Sequence, residues 1–429
     1  MFRDLLFYTF AFSAFIPIYQ AYRSPSRLYE LPFLYGVACY VFIIPTLFFV
    51  KDDSYLLTDV EFNRYLLNAI ICFWGALAGY YSINTQQKYT QISRQQIVKY
   101  NESKMFFALL PFIIIGIIGS TLIDPSEFGN EKGGVFAIIL FFSRFFRPAA
   151  IILLILYLLR PDIKKVTFLL IFLFFSLQFI LISGRRSEVF NLALTIMFPL
   201  FFIKNIVIPR AFIIPSLILA ILVIAIFPTA REFTKRGDYD RLYSLSLTDL
   251  SREYLSGEKT NEVIEAAKNM DVVSRADVFY YGTSFYNSLI HQYASSTLFG
   301  NEFKQSLRIN SNADLTSLRA KYWSGSVSGF KGYLSHTGFA GMYFEFGWFA
   351  VIFFFFFGRI TKQFFVKAYC GKDIHWISFY CSFTTFILIS IYHSMVSIPT
   401  MIIPYLLVLY TIKSISKKKD SQYNKVKYA

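Results

Sequence analysis

Residues 163–203 read IKKVTFLLIFLFFSLQFILISGRRSEVFNLALTIMFPLFFI. Two apolar runs, 163–183 and 189–203, are joined by the short basic turn Gly184-Arg185-Arg186-Ser187-Glu188. A bilayer core is about 30 Å thick and takes roughly 20 apolar residues to cross as a helix. The pair therefore reads as two transmembrane helices with a tight connection. Neither run alternates apolar with polar residues, which excludes a β-barrel strand.

Working outward, runs of the same kind fall near 4–20, 31–50, 65–84, 105–123, 134–159, 207–228, 337–358, 374–393 and 397–413. With the first two they make about 11 spans of an all-α polytopic integral membrane protein. The composition agrees: 429 residues, 55% hydrophobic, 51 Phe and 30 Tyr, with a mean hydropathy of +0.47. The 4–20 run has no basic stretch before it and no small-residue cleavage site after it, so it reads as a retained span. The organisation is then transmembrane helices 1–8 over 1–228, a large extracytoplasmic loop over 229–336, helices 9–11 over 337–413 and a basic tail over 414–429.

A net charge of +15 raises the question of nucleic acid, and the distribution of that charge answers it. With the Lys417-Lys418-Lys419 run placed in the cytoplasm, the segments on that side hold 21 Lys or Arg against 5 Asp or Glu. The short loops opposite hold 6 basic against 9 acidic residues. This is the positive-inside bias of membrane proteins. It orients the chain with its C-terminus in the cytoplasm and its N-terminus outside, and it needs no nucleic acid. Cys39, Cys72, Cys370 and Cys381 lie in spans or beside the cytoplasm, with neither a disulfide framework nor metal spacing.

The loop 229–336 carries 13 basic and 12 acidic residues and is too aromatic for a disordered linker. Asn261–Met270 is helix-compatible, and Ser274–Tyr293 sets Val278, Tyr281, Phe285 and Leu289 at helical spacing. The stretch 325–332 reads as a flexible turn. Tyr239, Tyr243, Tyr254, Tyr280, Tyr281, Tyr286, Tyr293, Tyr322, Trp323 and Tyr333 offer ring faces suited to sugars, although packing the loop accounts for most such rings.

Three constellations bear on chemistry. Arg185 and Arg186 put positive charge on the side that otherwise avoids it, and the planar guanidinium fork matches phosphate oxygens. Arg144 and Arg147 stand inside the 134–159 span beside Pro148. Charge at that depth faces protein or a wet cavity and takes a partner. Glu345 is the one acidic residue inside any expected span. At about 1.5 Å per residue it lies at the depth of Arg144, so an intramembrane Arg144–Glu345 pair is expected. Gly338, Gly341 and Glu345 share a face on which a neighbouring helix packs closely. The third constellation is Ser335-His336-Thr337-Gly338, where the loop re-enters the membrane. His336 is the candidate base near neutral pH, with His291 its rival in the loop. Nine residues turn through about 900° on a straight helix, so His336 and Glu345 point apart and form no dyad.

The order of these parts resembles the O-antigen polymerase and ligase superfamily. The resemblance rests on Ser183-Gly184-Arg185-Arg186-Ser187 before a span, a long outer loop, and His336-Thr337 followed after eight residues by Glu-Phe-Gly347. Thr337 departs from the Asn favoured by ligases. The doubled arginine leaves either Arg185 or Arg186 as the matched position, and counting from Gly184 favours Arg186. The resemblance implies a C-type glycosyltransferase architecture in the bacterial cytoplasmic (inner) membrane. Its substrate would be an undecaprenyl-pyrophosphate-linked oligosaccharide, joined at the outer face without cofactor, metal or nucleotide sugar. Arg186, Arg185 and Arg147 would hold the pyrophosphate, and His336 would serve the acceptor hydroxyl as base or by orienting it. The implied activity is repeat-unit polymerisation. The alternatives are ligation to lipid A core and, from another class, a lipid-linked oligosaccharide flippase. A chain-length regulator, a flippase and membrane lipid would be the partners.

Overall fold

A computed structural model describes residues 1–83, 100–122, 134–183, 186–216, 218, 262–294, 296–309, 315–322, 337–371 and 373–417. Within them the chain is helical throughout. Seven stretches are long and apolar enough to cross a membrane: Phe2–Arg23, Leu31–Val50, Glu102–Gly119, Phe141–Leu159, Gly338–Gly371, Ile374–Tyr392 and Met395–Ser416. The chain is thus an all-α protein of multi-pass membrane character.

The first half contributes α1 (Phe2–Arg23), α2 (Leu31–Ala38) running through a π turn into α3 (Ile44–Val50), α4 (Asp59–Tyr81), α5 (Glu102–Thr121), α6 (Gly134–Ser143), α7 (Phe146–Leu159), α8 (Ile163–Ser183) and α9 (Arg186–Lys204). Of the expected span 207–228, only 207–216 and 218 are described. The loop supplies α10 (Glu262–Ala276), α11 (Thr283–Tyr293) and α12 (Leu315–Tyr322). The last part is α13 (Gly338–Phe346), α14 (Ala350–Gly371), α15 (Ile374–Tyr392) and α16 (Ile398–Ser416).

Three expected continuous helices are broken, each for a local reason. The 134–159 span divides at Arg144–Phe145, because Pro148 has no N–H to give the Arg144 carbonyl. The 337–358 span divides at Gly347, whose φ of +58° turns the chain out of α13 before α14 begins. The helix expected over Ser274–Tyr293 is interrupted between α10 and α11, where Asp277, Tyr281 and Gly282 all take positive φ.

Contacts sort the bundle into two ends that agree with the charge bias. At the end assigned to the outside, Arg3 donates to the Val50 carbonyl at 2.6 Å and to Asp59 at 3.1 Å. Arg64 pairs with Asp271, and Tyr392 donates to Glu262. At the inner end, the Asn101 N–H donates to the Ser416 carbonyl at 2.9 Å and Arg210 to that of Arg23 at 2.8 Å. Lys362 there pairs with Glu30 at 3.2 Å.

α4 is the spine of the bundle. A capping box starts it, with the Thr58 side chain accepting from the Glu61 N–H and Glu61 accepting in return. It runs parallel to α14 at near-backbone contact through Gly75, Gly79 and Gly358, the close approach that small residues permit in membranes.

Candidate functional site

α13 is buried from Gly338 to Glu345. Thr337 caps it by accepting from the Ala340 N–H, and the same hydroxyl accepts from Tyr65 at 3.2 Å. Asn68 donates to the Phe339 carbonyl at 3.0 Å, so two polar residues of α4 fix the entry of the helix. Gly338 lies against the Ser390 backbone so closely that a Cβ would stand 2.4 Å from its carbonyl oxygen. That bears out the small-residue contact expected at this position.

The far end of α13 leaves carbonyls without helical donors, and the loop supplies them. Tyr280 N–H donates to the Phe344 carbonyl and Tyr281 N–H to that of Glu345, both at 2.9 Å. The Gly282 N–H donates to the Glu345 carboxylate at 2.7 Å. Gly282 is the N-cap of α11, so Glu345 sits on the positive end of that helix.

Arg144 has a different partner from the one expected. It donates to the Thr400 carbonyl at 3.1 Å, and the Tyr293 hydroxyl donates to the same oxygen. Tyr293 closes α11. Burial pushes the Tyr293 phenol up from its ordinary pKa and the Arg144 charge beside it pulls part of that back, so the phenol remains a donor at neutral pH. Arg144 and Glu345 therefore form no pair. Instead α11 stands between them, with its N-terminus on the acid and its C-terminus by the base. Each charge complements the helix dipole at its own end, and the outer loop is thereby seated on the bundle.

Glu345→Ala is expected to strand the Gly282 N–H, costing about 1–3 kcal/mol. Glu345→Gln keeps an acceptor and should lose much less. Thermal unfolding and protease nicking within 277–282 check this; equal behaviour of the two variants would refute the capping role.

Elsewhere in the described part of the loop, a buried charge pair holds α12 against α10. Arg319 of α12 pairs with Glu265 and donates to Asn269 at 2.6 Å. Burial pushes the Glu265 carboxyl above its ordinary range, against the pull of Arg319.

Arg147 meets Glu188 at 2.6 Å, and each side chain is 24% exposed. The sequence places Glu188 in the connecting turn, whereas α9 begins at Arg186 and takes Glu188 into its first turn. Arg147 is brought to the head of the helix that follows the Gly184–Arg186 turn. One turn further along α9, Asn191 is buried, and its side-chain oxygen has no hydrogen-bond partner among the described residues. Sequence reasoning gave Glu188 and Thr400 no role and counted Tyr293 among the rings suited to sugars; Glu188 was legible only as the acid that closes the basic turn 184–188.

Arg185 and His336 lie outside the described residues, as do Tyr239, Tyr243, Tyr254, Trp323, Tyr333, the 325–332 turn and the tail from Lys418. The backbone of Arg186 is described as the first residue of α9. His291 lies in α11 near its C-terminus, and its carbonyl accepts from Lys304 at 3.0 Å.

Comparison with known protein families, with curated proteins and with solved structures gives no match.

Proposed function

We propose that this protein is a polysaccharide polymerase of the bacterial cytoplasmic membrane, with 11 spans, its N-terminus outside and its C-terminus in the cytoplasm. In this reading it joins undecaprenyl-pyrophosphate-linked oligosaccharides at the outer face. A hydroxyl of the incoming repeat unit attacks the anomeric carbon of the growing chain. The bond from that carbon to the pyrophosphate oxygen breaks, the polyprenyl pyrophosphate leaves, and the hydroxyl proton passes to a base. The leaving group gains charge as the bond breaks, and fixed cations aimed at it lower the barrier. Arg186, Arg185 and Arg147 are assigned that task, and His336 is assigned to the acceptor hydroxyl.

One observation carries the reading. Arg147 and Glu188 are 41 residues apart in sequence and in contact at 2.6 Å, which sets a second cation beside the helix that opens at Arg186. A chain using Arg147 only to orient itself has no reason to hold it against that helix. The seating of α11 by Glu345 and Arg144 adds support, since it holds the aromatic loop over the same end of the bundle.

The test is a gel of surface polysaccharide from a deletion strain complemented with wild type, Arg186→Ala or His336→Ala. The expected result is acceptor carrying a single repeat unit in the deletion strain and in both variants, with the ladder restored by wild type. Bare acceptor with accumulated long lipid-linked chains would make the protein a ligase. A full ladder from both expressed variants would overturn the site.

A further inference from the structure

The interior between α7, α9, α15 and α16 holds polar groups that the chemistry above does not use. On α9, Glu188, Asn191 and Thr195 follow at three- and four-residue spacing and so share one face. On α15, His375, Ser378 and Ser382 do the same, starting from the inner end. Asn191, Thr195, His375, Ser378, Ser382 and Tyr405 are all buried. At about 1.5 Å per residue each row climbs about 10 Å. The rows start from opposite ends of a hydrocarbon core about 30 Å thick.

Tyr405 of α16 joins them. Its ring meets Phe386 edge-on with centroids 4.9 Å apart. Its hydroxyl lies beside that of Ser382 and within electrostatic reach of Arg147 and Glu188. Serine and threonine in a helix ordinarily satisfy themselves on a carbonyl one turn back. Ser382 does so on the Ser378 carbonyl at 2.8 Å, and Thr385 on that of Cys381 at 2.7 Å. Their neighbours do not. Among the described residues, Asn191 Oδ1, Ser378 Oγ, the Tyr405 hydroxyl and both ring nitrogens of His375 have no hydrogen-bond partner. Buried polar atoms are costly when left unpaired, and a seam of them is the setting that bound water satisfies.

The seam ends at both faces in a group that exchanges protons. At the inner end His375 meets the Tyr100 ring of α5 edge-on at 4.7 Å, with Asp373 and Lys413 the charged groups acting on it. At the outer end stands Glu188, 24% exposed, with Arg147 on its Oε2. Hydroxyls between them can accept and donate at once.

We infer that this seam is a proton path, in which bound water and the hydroxyls of Ser378, Ser382 and Tyr405 pass protons between Glu188 and His375. Each transfer makes an O–H or N–H bond at the acceptor as it breaks one at the donor. A complete passage leaves every group as it began and needs no co-reactant. A potential negative on the cytoplasmic side drives protons inward. Buried histidine and carboxyl groups linked through polar side chains are the elements of membrane proton relays. The activity is separate from glycosyl transfer, and none of the relay groups is assigned to the substrate.

The test uses the full-length protein in liposomes loaded with a pH-sensitive dye. Potassium and valinomycin impose an inside-negative potential, and the dye reports proton entry. Wild type is expected to acidify the lumen faster than protein-free liposomes. Tyr405→Phe keeps the ring against Phe386 and removes only the hydroxyl, and Ser378→Ala removes one oxygen. Each is expected to bring acidification down to the protein-free rate with Tm unchanged in detergent. Leu67→Ala, at a half-exposed position of α4, is expected to conduct as wild type does. The inference is overturned if wild type acidifies no faster than protein-free liposomes, or if either hydroxyl variant conducts like wild type. Should one variant lose its fold, the other decides.

Discussion

Gly79→Val prevents the protein from accumulating in the membrane. A Cβ at Gly79 would stand 1.8 Å from the Phe355 carbonyl oxygen and 2.7 Å from its carbon. Both are backbone atoms of α14 and cannot swing aside. On the facing helix, a Cβ at Gly358 would stand 2.0 Å from the Ala76 carbonyl oxygen, so the approach is close from either side. Inserting methyl groups into a packed core costs about 1–3 kcal/mol where side chains can yield. Here the two helices must separate along their length, and α4 also carries the contacts to α13 and α10. Loss of most folded protein is therefore expected, while Leu67→Ala, at a half-exposed position of α4, is tolerated. Membrane-fraction yield and thermal unfolding in detergent measure the difference. Equal yield and unchanged Tm for Gly79→Val would show that the α4–α14 contact is not the spine described.

Arg147→Ala abolishes polymer formation while leaving protein in the membrane at reduced stability. The arginine is assigned to stabilise a leaving pyrophosphate, and loss of one fixed donor of that kind costs on the order of 10²–10³ in rate. Its removal also leaves Glu188 unpaired in a partly buried place, which destabilises through an uncompensated charge. The two effects separate in a double variant. Adding Glu188→Gln to Arg147→Ala removes the orphaned charge and recovers the thermal stability, but the ladder stays lost. Glu188→Gln alone keeps the guanidinium and retains polymer. Restoration of the ladder in the double variant would make Arg147 a structural ion-pair partner and nothing more.

The apolar runs and the charge bias were enough to place every long helix in the described residues, because both follow from what lipid and the membrane surface tolerate. Gly347 was legible as a motif position, and its positive φ now gives the physical reason for glycine there. The breaks were not legible. Pro148 announced a distortion, but only the structure shows the helix break at Arg144–Phe145 and the Arg144 side chain on the Thr400 carbonyl. The error over Glu345 has a plain cause. Depth along two helices sets how far each charge lies in the membrane and says nothing of what stands between them. Here α11 intervenes, and the sequence offered no reason to seat a loop helix there. Glu188 was missed because a boundary at 189 puts it in a turn, whereas a helix start three residues earlier, at Arg186, sets it in the first turn of α9 against Arg147.

The central claim is that this chain alone joins lipid-linked repeat units at a cationic outer site. The most direct measurement is incubation of the purified protein in liposomes with undecaprenyl-pyrophosphate-linked repeat unit, without nucleotide sugar and with chelator present, followed by gel analysis of the lipid-linked products. The account predicts a ladder of lengthening chains with wild type and unreacted single units with Arg186→Ala. Unreacted substrate with correctly folded wild-type protein, or an undiminished ladder with Arg186→Ala, would contradict it.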